Sequence, residues 1–366
     1  MPSSVLRFLD DDHVLRVARY ALAGSRQVSE TWMKAFFSPE AIDPQQVFAM
    51  GHGLHEKDGV ALAPTAHHEA PDAVSNAQIL IFRRGMIDAR LLDCYPKLKL
   101  IQRLGERTDG IDLALAKQRG ITVSCIPRQS LIYTAEHVIM LMLACAKQLV
   151  QADRMVRDGG WNPALVQAQN EVAYNWAGLR NLSGLHGKVL GILGLGEVGS
   201  GVAKLANAMG MKVIFNNRTP PPEGKSAAGN ATLVTRQALL ADADFLSVHV
   251  TAAASNHSLM DMEAFKTMKP SAFFINTSRG SLVDEDALYT ALSQGLIAGA
   301  ALDVHAQEPR PPGHLLGQLS NIIMTPHCAG GSRAGILQEL SMIFDNCRAI
   351  LAGRSPLHGL CHPGNP

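Results

Sequence analysis

The chain has 366 residues, 47% of them hydrophobic and 18% charged, with a formal net charge of +1. That length supports two domains, each with its own core, and the composition is that of a soluble globular protein. The near-neutral charge leaves no footprint for nucleic acid or an anionic membrane, and no uncharged apolar run is long enough to span a bilayer, so neither kind of partner is expected.

The N-terminal MPSSVLRFLDDD has too short an apolar run, and too acidic a flank, for a signal peptide. Cysteines 94, 125, 145, 328, 347 and 361 are scattered without a CxxC pair, which reads as reduced thiols in a cytoplasmic protein. The first 70 residues show no clear strand–helix pattern. His52, His55, Asp58, His67 and His68 form a histidine-rich patch there, but their spacing matches no metal motif and no metal is expected. From about residue 72, short apolar runs alternate with helix-like segments. AQILIFR (77–83), LKLIQRL (98–104) and ITVSC (121–125) predict strands, and IDLALAKQRG (111–120) predicts a helix closed by Gly120. TAEHVIMLMLACAKQLV (134–150) is apolar nearly all round. It predicts a long helix buried between domains, with Met140 and Met142 as core filler.

An irregular connector (151–185) containing Trp161, Tyr174 and Trp176 comes next. Strands are then predicted at 188–193, 211–216, 244–249, 272–276, 297–303 and 321–324, with helices between them. Such alternation implies a parallel sheet covered on both faces. The last helix, about 332–352, is expected to return to the first domain.

The strongest single signal is VLGILGLGEVGSGVA, in which Gly194, Gly196 and Gly199 form G-x-G-x-x-G directly after a strand and at the start of a helix. Gly194 permits the turn, Gly196 lets backbone approach a pyrophosphate, and Gly199 lets helix pack on strand. The helix N-terminus offers N–H groups to the phosphates. The following strand ends in VIFNNRT (213–219), where a dinucleotide site for NAD shows an acid. Asn217 removes the repulsion a carboxylate exerts on a 2′-phosphate, Arg218 offers a forked cation, and Thr219 adds a hydroxyl. NADP(H) is the expected cofactor, with NAD(H) as the alternative.

Arg279, Glu308 and His327 follow three successive late strands, whose carboxyl-end loops gather in an open parallel sheet. Singly, each has a structural reading: a carbonyl cap, a surface turn before proline, a satisfied histidine. Together they suit reduction of a 2-oxo acid. An arginine binds the carboxylate and polarises the carbonyl, a histidine moves a proton, and a glutamate orients the imidazole and raises its pKa.

These strings, with FFINTSRGSLVDEDAL, GAALDVHAQEP, NIIMTPHCAGGS and TAEHVIMLMLA in that family's order, resemble the D-isomer-specific 2-hydroxyacid dehydrogenases over about residues 78–355. The resemblance implies an α/β protein of two doubly wound parallel-sheet domains, a Rossmann cofactor domain inserted into a flavodoxin-like substrate domain. It implies a catalytic set of Arg279, Glu308 and His327, and a homodimer formed through cofactor domains. The cofactor set that goes with it is Gly194, Gly196, Glu197, Val198, Gly199, Asn217, Arg218, Thr219, His249, Val250, Thr277, Ser278, Asp303 and Gly330. In the family, the aspartate matching Asp303 often contacts the nicotinamide carboxamide. The NNRT run is similar to those of NADP-using glyoxylate and hydroxypyruvate reductases. Leu104, Gly105, Glu106, Arg107, Arg279 and His327 form the implied substrate set.

Departures from the family pattern surround the substrate. Glu106 and Arg107 replace small residues; Arg107 either contacts substrate or pairs with Glu106. Pro127-Arg128-Gln129-Ser130 replaces a glycine-containing loop. The long 161–185 connector is a candidate arm across the dimer interface. The expected division is 1–150 plus 331–366 for the substrate domain and 151–330 for the cofactor domain. Two other readings share this fold: a corepressor-like nucleotide sensor, and a dehydrogenase of another small acid such as formate or phosphite, although Glu308 disfavours formate.

Overall fold

A computed structural model describes residues 4–38, 40–65, 75–159, 174–218 and 230–361. The chain forms two compact units, Met1–Ser130 with Ser332–Pro366, and Leu131–Gly331. Among the described residues no helix is long and apolar enough to cross a membrane.

The first unit is built on β1 (Ser4–Phe8), β2 (Val60–Ala63), β3 (Ile79–Phe82), β4 (Leu100–Leu104) and β5 (Thr122–Ile126). All pair in parallel, in the order β2-β1-β3-β4-β5, the flavodoxin-like arrangement. Every residue of β3 and β4 is buried, as expected where helices cover both faces. The C-terminal helix Gly335–Leu351 packs Leu340, Ile343 and Phe344 into the same core as Leu6, Phe8 and Leu15.

Strand β1 corrects the sequence reading, which finds no first strand. It lies inside the sheet, between β2 and β3. Its VLRF run does not alternate because both faces are covered. Arg7 is tolerated there because its guanidinium reaches over the Tyr95 ring, 5.8 Å from the centroid. The histidine patch resolves structurally. His55 is buried and stacked on Phe48, with Nε2 shared between the carbonyls of Ala21 (2.9 Å) and Phe48 (3.2 Å). Asp58 accepts the backbone N–H groups of Gly53 and His55. His67 and His68 lie outside the described residues.

The second unit carries β6 (Val189–Leu193), β7 (Lys212–Asn216), β8 (Thr232–Leu233), β9 (Phe245–Val248), β10 (Phe273–Asn276), β11 (Gly299–Leu302) and β12 (Ile322–Met324). They form a parallel sheet in the order β12-β11-β10-β9-β6-β7-β8. The order reverses beside β6, so the crevice outside the carboxyl ends of β6 and β9 is the topological switch point, where ligands of such sheets bind.

The unit boundary falls at residues 130 and 131 rather than at 150, because helix Leu131–Ala146 belongs to the second unit. Its Ala135, Val138 and Met142 share a core with Leu190, Ile192 and Val202. Its burial is one-sided, not all-round: Met142 is fully buried, whereas Met140 is 45% exposed. The helix ends at Ala146, and Gln148 (φ 50°) breaks the chain before a second helix, Leu149–Asp158. Residues 160–173, including Trp161, lie outside the described residues; Tyr174 is exposed.

Candidate active site

At the end of β6, Gly194 has φ +100°, and a Cβ there would lie 2.8 Å from Val250 Cγ1 and 2.9 Å from the His249 carbonyl carbon. The glycine turn is therefore pressed against the exit of β9, and only glycine fits. A Cβ on Gly199 would come within 2.5 Å of the Gly194 carbonyl oxygen, so helix Glu197–Ala208 lies tight against the turn. Gly196 is the opposite case: it caps this helix without a side-chain hydrogen bond, and a Cβ there would meet nothing within 4 Å. Gly196 has no side chain with which to cap the first turn of this helix.

Strand β7 delivers Asn216, Asn217 and Arg218 to the same edge. Gly194 N–H donates to the Asn216 carbonyl at 2.9 Å, and Leu195 N–H donates to Asn217 Oδ1 at 2.7 Å. Asn217 thus fixes the glycine turn. Arg218 is exposed beside it, and Thr219 lies outside the described residues. At the end of β9, His249 shares a 2.8 Å hydrogen bond with Ser247 Oγ, and burial pushes its imidazole down to about 4. It is neutral at physiological pH. After β10, Ser278 Oγ donates to the Val248 carbonyl, whereas the buried Thr277 hydroxyl has no partner among the described residues.

The loops after β10, β11 and β12 carry Arg279, Glu308 and His327. Arg279 is exposed; its carbonyl accepts from Asn276 Nδ2 at 2.9 Å, and its Nη1 donates to the Ser278 carbonyl at 2.6 Å. A Cβ on the next residue, Gly280, would lie 2.0 Å from the His305 carbonyl group, so the arginine loop interlocks with the turn leading to Glu308. Glu308 Oε2 lies 2.7 Å from His327 Nδ1, and Glu308 Oε1 accepts the His305 N–H at 2.9 Å. Burial disfavours the ionised carboxyl, but the hydrogen bonds from His327 and His305 outweigh it and hold Glu308 below the ordinary value of 4.5. An ionised carboxylate only accepts, so Nδ1 carries the shared proton and Nε2 is left for another partner.

His327 is left-handed, with φ 55°, a conformation costing a side-chain-bearing residue about 1 kcal/mol or more. Asp303 holds the loop in place. It is fully buried, takes Thr325 Oγ1 (2.6 Å) and Cys328 N–H (2.9 Å) on Oδ1, and takes Ala329 N–H (2.8 Å) on Oδ2. His137 Nε2 adds a 3.2 Å contact to Thr325 Oγ1. His137, Asp303 and Cys328 bring ligand atoms within 4.8 Å of one another, yet these hydrogen bonds already account for the cluster. Burial, with Asp303 beside it, pushes the Cys328 thiol up.

A family model described as D-isomer specific 2-hydroxyacid dehydrogenase, NAD binding domain, matches residues 139–329. The chain belongs to that family. It is 37% identical over 271 residues to glyoxylate reductase of Thermococcus litoralis, covering 74% of this chain and 79% of that one. Over 288 residues it is 35% identical to glycerate dehydrogenase of Methylorubrum extorquens, covering 78% and 86%. The solved TT0316 protein of Thermus thermophilus matches with a TM-score of 0.53 and 33% identity, over 85% of this chain and 96% of that one. The chain is accordingly a nicotinamide-dependent D-2-hydroxyacid dehydrogenase.

Two local features of this dehydrogenase fit a dinucleotide: the open position at Gly196, which has no side chain to cap its helix, and the orphaned Thr277 hydroxyl. Gly330 is also open to a Cβ, and Val250 is partly buried against Gly194. Leu104, Gly105, Glu106 and Arg107 lie in the first unit, at the carboxyl end of β4. Leu104 and Gly105 are buried, and Glu106 and Arg107 are exposed. Arg107 forks onto Asp109, at 2.7 and 2.6 Å. The sequence reading passed over His137 and His305, although both stand in strings quoted for their neighbours.

Proposed function

We propose that this dehydrogenase reduces a small 2-oxo acid to the D-2-hydroxy acid, with NADPH preferred over NADH and Arg279, Glu308 and His327 as its catalytic set. The observation that carries the reading is the 2.7 Å His327–Glu308 contact, at the sheet edge that also bears the glycine turn and Arg279. A bound nicotinamide supplies hydride for the carbonyl carbon. His327, held through Nδ1 by Glu308, gives the proton on Nε2 to the carbonyl oxygen. Arg279 takes the carboxylate in its fork and polarises the neighbouring carbonyl. Asn217 and Arg218 support NADPH: no carboxylate stands at the end of β7, and an exposed guanidinium does. The names of the relatives, glyoxylate reductase and glycerate dehydrogenase, favour glyoxylate or hydroxypyruvate as substrate.

An apolar face of the second unit supports a homodimer. An open cavity of about 600 Å³ there is lined by Ile139, Met140, Leu143, Leu149, Leu205 and Met209. Several of these are exposed, Leu149 to 56%, on a face with few charges. Steady-state reduction of glyoxylate, hydroxypyruvate, pyruvate and bulkier 2-oxo acids with each cofactor tests the assignment. Turnover of one or more of the small acids, faster with NADPH, is expected. No turnover of any of them contradicts it.

A further inference from the structure

Glu308 and His327 are 36% and 46% exposed, so packing alone cannot fix their separation. They also arrive on loops from different strands. Asp303 anchors the His327 loop, and His305 ties that loop to Glu308 itself. The His305 backbone N–H donates to Glu308 Oε1 at 2.9 Å, while its ring Nε2 lies 3.0 Å from the carbonyl of Thr325, in the loop that bears His327. On the other side of the ring, Arg310 Nη1 lies 2.9 Å from Nδ1. A guanidinium has donors and no acceptor, so Nδ1 must accept and Nε2 must carry the proton that goes to the Thr325 carbonyl. Arg310 therefore dictates the tautomer on which the bridge depends.

Arg310 is itself held. Its Nη2 contacts His314 Nδ1, and Glu285 Oε2 lies 3.7 Å away. Glu285 also accepts the Ala306 N–H at 2.9 Å, in the turn between His305 and Glu308. The Arg310 and Glu285 side chains are only 15% and 11% exposed, so this support is dry where the pair it serves is wet. We propose that His305, oriented by Arg310, is a positioning residue that sets the separation of Glu308 from His327. The proposal rests on the reading of that pair as the proton-handling couple. Its effect belongs in turnover and not in binding, since neither residue is placed against substrate or cofactor.

The test uses the full chain, NADPH, and whichever 2-oxo acid of the panel turns over best. His305→Phe keeps the ring and loses both nitrogens; it should lower kcat about tenfold, the scale of a misplaced catalytic group, with KM and the cofactor Kd within about twofold. Arg310→Met should lower kcat in the same way. His305→Gln, whose amide can donate to Thr325, should restore kcat to within about threefold of the parent. Thermal midpoints check folding. Should His305→Phe fail to fold, Arg310→Met decides on its own, with lowered kcat at unchanged KM expected. Parental kcat in the Phe and Met variants, or a raised KM at constant kcat, overturns the proposal. His327→Gln separates the two readings. If it is inactive while His305→Phe is unimpaired, the couple stands and the positioning role falls; if it turns over normally, the couple itself falls.

Discussion

At Asn217 the carboxamide oxygen already accepts the Leu195 amide at 2.7 Å, so the side chain is fixed at the end of β7. Aspartate can make that bond too, and its second oxygen then repels a 2′-phosphate and accepts from a ribose hydroxyl. Asn217→Asp should therefore reverse the cofactor preference, as read from kcat/KM for NADPH and NADH. Arg218→Ala should erase a preference of about tenfold to a hundredfold, chiefly by weakening NADPH. A parent enzyme that uses NADH better contradicts both. At Glu308 the folded carboxyl ionises below the ordinary 4.5, so its contact with His327 is fully present above that pH and is lost as pH falls through the lower, folded value. The acid limb of kcat that Glu308→Gln removes should have its midpoint below pH 4.5. A midpoint above that value rules out a carboxylate stabilised by its neighbours. The Glu308–His327 pairing was legible because each residue follows a strand in a recognisable string. The His305–Arg310 bridge was not, because DVHAQEPRPPGH reads as an ordinary loop until its turn brings the two side chains together.

Among elements, the C-terminal segment depends on one buried side chain. Asn346 Nδ2, with two N–H groups, lies within hydrogen-bond distance of Gln102 Oε1 (2.9 Å), Ser124 Oγ (3.0 Å) and the His358 carbonyl (2.9 Å). Its Oδ1 accepts the N–H groups of Leu357 and His358. Asn346→Ala takes the partner from buried Gln102 Oε1 and from the Leu357 and His358 N–H groups, and should destabilise the chain by about 2–4 kcal/mol in denaturant unfolding. A loss under about 0.5 kcal/mol would mean that water replaces the network. At β9, His249 stays neutral in the fold down to about 4, while the unfolded chain takes the proton near 6.5. Its contribution is therefore whole above pH 6.5 and declines as pH falls toward 4. His249→Asn should flatten the loss of thermal midpoint between pH 7 and 4.5; a parallel loss in both proteins contradicts the shift. Strands β3 to β7 and β9 to β12 were readable from apolar runs bounded by turns. Strand β1 was not, since Arg7 interrupts a short run with no turn signal before it. The Leu131–Ala146 helix showed its apolar excess, but one face of it lines an open groove instead of a core.

For the whole molecule, the two-domain division followed from length and alternation, while its boundary depended on which sheet the Leu131–Ala146 helix packs against, something periodicity does not encode. The open apolar face around Met140 and Met209 leads to an assembly prediction. Light scattering at micromolar concentration should give the mass of a dimer, and Met140→Asp with Met209→Asp should shift it toward the monomer. A parent that scatters as a monomer contradicts the dimer. The central claim is hydride transfer to C2 of a 2-oxo acid to give the D product. It is tested most directly by reducing hydroxypyruvate, or the acid of the panel turned over best that yields a chiral product, with NADPH dideuterated at C4. Product analysis by NMR and chiral separation should show the D-2-hydroxy acid with one deuterium at C2. An L product, or a product without deuterium at C2, would contradict the account.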